Sequence, residues 1–118
     1  MYHAHIKDIL PLVLTDKKIG GVTLEGKAEL RVMIKGEHIQ LVALKLDKGY
    51  YHPLHNHPEH ESVGYVVSGR LEMRVGEEEL VLDPGSSWYH PKGVFHSTRA
   101  LELTEAVEIH TPPRSEYA

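Results

Sequence analysis

Histidine stands out in this sequence of 118 residues, which contains ten histidines and no cysteine. His55 and His57 lie two residues apart, and on an extended segment such residues face the same side. Glu61 follows four residues later and can bring a carboxylate to the same space, while His96 can reach it from a later strand. We therefore predict that His55, His57, Glu61 and His96 bind one divalent transition metal ion. Imidazole and carboxylate ligands suit zinc, iron, manganese, nickel, cobalt or copper, and the mixture does not choose among them.

A scaffold of short strands must bring residue 96 back to residues 55–57. From residue 28 onwards apolar residues alternate with polar ones or form short runs, which is typical of β-strands. Turn signals separate the runs, at Gly36-Glu37, Asp47-Lys48-Gly49, Ser68-Gly69, Gly76-Glu77 and Asp83-Pro84-Gly85. About eight strands at this spacing predict an all-β sandwich or barrel. Around residues 6–10 the sequence predicts a single helical turn or an irregular arm.

Two stretches resemble the paired motifs of the cupin superfamily. The matching residues are Gly49, His55, His57, Glu61 and Gly69 within residues 49–69, and Gly85, Pro91, Gly93 and His96 within residues 85–100. Two shorter stretches, residues 64–70 and Pro112-Pro113-Arg114, are similar to segments of small single-domain cupins. The chain is identified as a small single-domain metal-binding cupin of the cupin 2 type. The resemblance implies a double-stranded β-helix, that is, a jelly-roll barrel of two antiparallel sheets.

The spacing within the first motif leaves the fourth metal ligand open. Glu61 fits the distance from His57, but seven residues, not six, separate it from Gly69. Counting back from Gly69 puts Ser62 in the ligand position instead. Either a bulge lets Glu61 reach the metal, which is our prediction, or three histidines bind it and water or substrate completes the set. His60 is a further candidate.

The other candidate residues are assigned structural roles. The histidines predicted to lie at the surface, on strand faces or in a solvated arm are His3, His5, His38, His52, His90 and His110. The residues predicted for the core, with the lining of a pocket as the alternative, are Met33, Tyr65, Trp88 and Phe95. Arg31 and Arg99 are predicted on exposed strand faces, with the binding of a substrate carboxylate as the alternative.

Composition bounds the class of protein and its partners. One domain is predicted over residues 1–118, with an N-terminal arm and the first strands over residues 1–25. The net charge of −4 disfavours nucleic acid and anionic membranes, and no stretch approaches the ~20 apolar residues of a membrane span. The lack of cysteine and of a signal-peptide pattern favours the cytoplasm. An exposed sheet edge favours a homodimer.

These features predict a metal-binding cupin that acts as an enzyme on a small polar substrate, such as a sugar acid or another oxygenated organic acid. The reaction classes that the resemblance implies are Lewis-acid isomerase or lyase chemistry and dioxygenase chemistry. The alternative is a non-catalytic module that binds a small ligand or a metal. A third possibility is a metal-free barrel that keeps only part of the motif, and Ser62 in the ligand position is the feature that supports it.

Overall fold

The computed structural model describes residues 2–117, which form short antiparallel strands and two 3-10 turns. The strands are β1 (Leu12–Val13), β2 (Lys18–Ile19), β3 (Val22–Thr23), β4 (Ala28–Lys35), β5 (Gln40–Leu46), β6 (Tyr51–His55), β7 (Glu61–Ser68), β8 (Leu71–Val75), β9 (Glu78–Leu82), β10 (Ser87–His90), β11 (His96–Ala100) and β12 (Thr104–Thr111). The 3-10 turns are Ile6–Asp8 and Ser115–Tyr117. Within residues 2–117 no helix is long and apolar enough to span a membrane.

Two sheets and a small hairpin organise these strands. The larger sheet has the order β1-β4-β5-β12-β7-β10, the smaller sheet has the order β6-β11-β8-β9, and β2 pairs with β3. Strands that are distant in sequence become neighbours, as when β12 inserts between β5 and β7. This arrangement confirms the predicted all-β fold of two antiparallel sheets.

The hydrophobic core lies between the two sheets. Strand β7 shows why: Ser62, Gly64 and Val66 are buried, whereas Val63, Tyr65 and Val67 between them are exposed. Apolar side chains of both sheets join in one buried cluster, which includes Leu30, Val42, Val66, Ala106 and Trp88 from the larger sheet and Leu71, Met73, Leu82 and Ala100 from the smaller. Burial of this surface supplies the main stabilisation and fixes which face of each strand points inward.

The core predictions hold for some residues and fail for others. Trp88 is buried in the core cluster, whereas Met33 is half-buried and lies outside that cluster. Tyr65 and Phe95 are about half exposed, at 48% and 52%, so their assignment to the core is wrong. Tyr65 faces outward because it lies on the opposite side of β7 from Val66, which fills the core.

Both arginines that the sequence placed on strand faces are engaged within the chain. Arg31 Nε donates a hydrogen bond to the Ile9 carbonyl oxygen at 2.9 Å, which ties the N-terminal arm to β4. Arg99 lies over the ring of Tyr51, with 4.0 Å between its Cζ and the ring centroid. His5 accepts a hydrogen bond from Lys7 N at 3.1 Å and is exposed, as expected for the arm.

We predict that Gly64→Ala destabilises the fold, because a Cβ at this position would overlap the indole ring of Trp88. The indole is fixed by its burial, so relief requires a shift of β7 against β10, and we expect a loss of about 1–3 kcal/mol in the free energy of unfolding. Gly36→Ala is the control. Its Cβ would come closest to the Cγ2 methyl group of the Ile39 side chain, at 3.0 Å, so we expect a smaller loss. Urea denaturation of both variants checks the difference, and equal losses would contradict it.

Candidate metal centre

Three histidines meet in the interior at one end of the two-sheet core. His55 ends β6, His96 begins β11, and these two residues are paired across the adjacent strands. His57 follows in the loop after β6. One possible ligand atom from each of the three lies within 4.8 Å of the other two, and all three side chains are buried. The structure therefore brings together three of the four residues predicted as ligands.

Hydrogen bonds fix the tautomers of two of these rings. His55 Nδ1 donates to the Pro53 carbonyl oxygen at 2.7 Å, and His96 Nδ1 donates to the Val94 carbonyl oxygen at 3.1 Å. Because a carbonyl oxygen only accepts, the hydrogen of each neutral ring is on Nδ1 and the Nε2 lone pair is free. Each imidazole is thereby held in a form that can bind a metal ion.

His57 supplies a test of whether a metal fits here. Its Nε2 atom is buried and has no hydrogen-bond partner within the described chain. Buried polar atoms are nearly always paired, so a ring nitrogen left alone beside two other imidazoles requires an explanation. A metal ion bound by His55, His57 and His96 would provide the missing partner, and the residues present fit such an ion.

The interior also keeps these rings uncharged. Burial lowers the pKa of His55 to about 2, with the neighbouring His52 and His96 acting in the same direction. Burial also lowers the pKa of His57 to about 3, and the charge of Arg114 adds to this effect. The pKa of His96 is lowered mainly by burial as well. Since only neutral imidazole has a lone pair to donate, the site is ready for a metal at neutral pH.

Glu61 is not part of this group, which departs from the prediction. Its Oε1 accepts a hydrogen bond from Tyr89 OH at 2.9 Å on the outer side of β7. The bulge that would turn Glu61 inward is not there, because β7 pairs with β12 in regular register from Glu61 to Val66. Ser62 is the inward residue at this point. His60 lies at the rim, with its ring centroid 6.2 Å from that of His57.

Two histidines predicted at the surface are buried beside the ligand group instead. His52 stacks on His55, with 3.5 Å between ring centroids and 12° between ring planes. His90 stacks on His96 at 3.7 Å and 13°. Three residue steps along β6 match two along β11 between the paired residues, so a bulge in β6 turns both His52 and His55 inward.

A largely buried carboxylate that the sequence analysis missed, with its side chain 12% exposed, faces the same interior. Glu108 Oε2 accepts hydrogen bonds from Trp88 Nε1 at 3.1 Å and from Ser62 Oγ at 3.3 Å, and Oε1 accepts one from His110 Nε2 at 2.6 Å. Burial alone would raise the pKa of Glu108, but its hydrogen bond and charge interaction with His110 hold it well below its usual range. The sequence signal for its position is that Glu108 lies two residues after Ala106 and two residues before His110 on β12, so it shares the inward face with these two buried residues.

His110 is likewise not the strand-face residue that was predicted. It is fully buried, at 0% exposure, and its Nδ1 lies 3.1 Å from Gln40 Oε1. Gln40 Oε1 also accepts a hydrogen bond from Arg114 N at 3.3 Å. A chain of polar contacts thus runs from Glu108 through His110 and Gln40 to Arg114.

Arg114 brings a buried positive charge close to the histidines. Its Nη1 donates to Tyr117 OH at 3.3 Å and lies 4.0 Å from Glu116 Oε1. Its Nε atom is buried and has no hydrogen-bond partner among residues 2–117. A buried guanidinium is costly unless it is well paired, so this residue has binding capacity that the chain itself does not use.

Two cavities meet at the site. The inner one, of about 50 Å³, is lined by the three histidines, Glu108 and Arg114, and has room for an ion and a few water molecules. The outer one, of about 370 Å³, lies between the loop after β6 and the C-terminal turn and shares His57 and Arg114 with the inner one. A volume of this size matches a small-molecule site.

Comparison with known proteins identifies the class. The family model of the cupin domain matches residues 42–111. The match covers more than half of the chain, which therefore belongs to the cupin domain family.

Individual relatives are more distant. The chain is 22% identical over 88 residues to the pectin degradation protein KdgF of Dickeya dadantii, with 74% of this chain and 80% of that protein covered. The structure of KdgF from a Halomonas species has a TM-score of 0.83 at 22% identity, with 100% of this chain and 99% of that chain covered. An RmlC-like cupin from Shewanella frigidimarina gives 0.82 at 20%, with 100% and 96% covered. At these identities the structural matches show the fold alone.

The tip of the β2–β3 hairpin packs against the rings of His55 and His57. Gly20 and Gly21 form this tip, and both have positive φ, at +64° and +80°. A Cβ at Gly20 would lie 2.6 Å from His55 Cδ2 and 3.2 Å from His57 Cε1. A Cβ at Gly21 would meet nothing within 4 Å in the described structure. The two positions therefore separate backbone strain from contact with the site.

We predict that Gly20→Ala weakens metal binding at least tenfold while Gly21→Ala leaves it within about twofold. Both variants place alanine at positive φ and should lose about 1 kcal/mol of stability, but only the first displaces the imidazole of His55. Competition with a chromophoric chelator for Zn²⁺ measures the affinity, and thermal unfolding measures the shared strain. Equal affinities in the two variants would show that the hairpin tip does not constrain the site.

Proposed function

We propose that this cupin is a metal-dependent enzyme that acts on a small, oxygen-rich carboxylic acid such as a sugar acid. The observation that carries the proposal is a three-histidine group in an inner cavity that shares His57 and Arg114 with a substrate-sized outer cavity. His55, His57 and His96 would hold one divalent transition metal ion, with zinc, iron, manganese, nickel, cobalt and copper as the candidates. When bound, the metal would supply Lewis-acid chemistry at a carbonyl or hydroxyl group, or oxygen chemistry if it is redox-active.

The protein's own residues would divide the remaining work. Arg114 would attract the carboxylate of the substrate, since a guanidinium matches that group in charge and geometry. Glu108, held ionised by its three donors, would offset part of the positive charge of Arg114 and the metal. Enclosure of the histidines by the β2–β3 hairpin would limit the entry of water.

The relative from Dickeya dadantii is described as a pectin degradation protein. Pectin is an acidic polysaccharide, so this relationship supports an acidic sugar derivative as the substrate. The identity of 22% does not transfer the relative's role, and the buried arginine beside the histidines remains the main support.

We expect the untagged protein to carry about one transition metal ion per chain and His57→Ala to carry none. Elemental analysis of both proteins, with exposed His38→Ala as the matched control, checks this.

A screen of sugar acids and hydroxy acids should then reveal turnover that a chelator abolishes. Arg114→Gln should raise KM at least tenfold and keep its metal, whereas Arg99→Gln should change neither.

The possible outcomes separate the candidate functions. Metal binding together with tight binding of an acid, but without turnover, would favour the non-catalytic binding module. No metal in either protein, even after soaking, would contradict the metal site and leave a metal-free barrel.

We also propose that two copies of this chain associate through the outer face of the larger sheet. Val63, Tyr65 and Val67 on β7 and Tyr89 on β10 are each about half exposed, at 46–53%, and Val63 is paired with Tyr89. Together with the neighbouring apolar residues of β5 and β12, these four residues form an apolar patch. The spacing between strands and the rise per residue give it an area of roughly 300 Å². A stable dimer buries about 800 Å² on each partner, and the arm, with Leu10 92% exposed, would extend the patch.

Sedimentation equilibrium should show a dimer for the natural protein and a monomer for Val63→Lys/Tyr65→Lys. The lysines would place positive charge at the centre of the apolar face, where it would be buried on association. Val81→Lys, an equally exposed site on the smaller sheet (55%), is the control and should stay dimeric. A natural protein that is monomeric at about 100 µM would contradict this interface.

A further inference from the structure

Two of the contacts around the metal centre differ in kind from the rest. Within the ligand group no two rings are parallel: the interplanar angles are 78° for His55 with His57, 68° for His55 with His96 and 39° for His57 with His96. His52 on His55 and His90 on His96 are instead nearly parallel, at 12° and 13°. Two of the three proposed ligands therefore each carry a second imidazole laid flat on one face.

His52 is itself held in place. Its Nε2 donates to the carbonyl oxygen of Ile19 at 2.9 Å, and its side chain is 9% exposed. Ile19 precedes Gly20, whose backbone lies against the ring of His55. The ring of His55 thus lies against His52 and the hairpin tip, and both restrict rotation of its side chain.

His90 is fixed from a different direction. Its Nε2 lies 3.2 Å from Met73 Sδ and its Nδ1 lies 3.4 Å from Ser62 Oγ, with the side chain 7% exposed. Contacts at both ring nitrogens set the plane of the imidazole. The ring of His96 stacks against this plane and is also held by its hydrogen bond to Val94.

Three of the four nitrogens of these two flanking rings are committed to protein contacts. His52 Nε2 is engaged by Ile19 and both nitrogens of His90 have neighbours, and neither residue belongs to the group whose ligand atoms lie within 4.8 Å. We infer that His52 and His90 are positioning residues: by stacking, they fix the ring planes of His55 and His96 and so set the affinity and coordination geometry of the bound metal. This inference rests on the proposed metal site.

The test separates ring stacking from hydrogen bonding at both positions. His52→Gln and His90→Asn keep a polar atom for the hydrogen bond but remove the ring, whereas His52→Phe and His90→Phe keep a flat ring but lose that bond. Co²⁺ is titrated into each metal-free protein; its visible absorption reports coordination geometry, and a competing chelator gives the affinity. Exposed His38→Gln is the control for loss of a histidine.

We expect the Gln and Asn variants to bind Co²⁺ about 10–100-fold more weakly, with an altered spectrum, as for other residues that orient metal ligands. The Phe variants should bind within about threefold of the natural protein. The reverse pattern, equal losses in all four variants, or no loss in any of them would each overturn the positioning role. A natural protein that takes up no Co²⁺ would contradict the metal site itself, which is a separate result.

A measurement on the natural protein covers the case in which variants fail to fold. In the metal-free protein the carbon-bound ring protons of His55 and His96 should be shifted upfield in the NMR spectrum, because each faces the stacked ring. The corresponding protons of exposed His38 supply the unstacked reference. Unshifted resonances for His55 and His96 would show that the stacks are absent and would overturn the inference.

Discussion

Withdrawal of His55, His57 and His96 from water keeps these imidazoles neutral, and the rest of the site depends on it. A charged ring is disfavoured in the interior of a protein, so burial lowers the pKa of His55 to about 2 and that of His57 to about 3. The carbonyl oxygens of Pro53 and Val94 then fix the tautomers of His55 and His96, because each accepts a hydrogen bond from Nδ1. The core between the sheets therefore does more than stabilise the fold, because the same exclusion of water prepares the nitrogens for a metal.

The interior also contains two opposite charges, Glu108 and Arg114, which line the same inner cavity as this neutral group. Glu108 is surrounded by donors, and Arg114 lies at the end of a polar chain through Gln40 and His110. Each charge influences the other, since Arg114 contributes to the low pKa of Glu108. A metal and an anionic substrate would add one positive and one negative group to an interior already arranged around such a balance.

The sequence was sufficient to predict the fold and the grouping of three of the four residues that it predicted as ligands. Alternation along the strands predicted an all-β sandwich or barrel, the resemblance to cupins implied two antiparallel sheets, and the motif positions of His55, His57 and His96 predicted that these residues come together. It was insufficient where strand register decides the outcome. Glu61 and Ser62 are adjacent, and only the regular pairing of β7 with β12 shows which of them faces inward.

The prediction that His52 and His90 lie at the surface is wrong for two different reasons. His52 is turned inward by a bulge in β6, and a bulge breaks the alternation on which the sequence argument relied. His90 obeys alternation, since it lies two residues after the buried Trp88 on β10. The prediction of a surface position is wrong because the position of His90 on the inward face of β10 outweighs the polar character of its side chain. The same reason applies to His110 on β12, which was predicted on a strand face, whereas no prediction was made for Glu108.

Because of the bulge in β6, the number of imidazoles inside the protein depends on the number of residues between His52 and His55 as well as on the number of histidines. Removal of one residue between His52 and His55 would restore regular pairing with β11 and turn His52 to the opposite face of the sheet. Every histidine would still be present in such a chain, yet the stack on His55 and the tether to the hairpin would both be lost. Homologous barrels could therefore gain or lose a layer of the site by a single insertion or deletion, without replacement of any ligand.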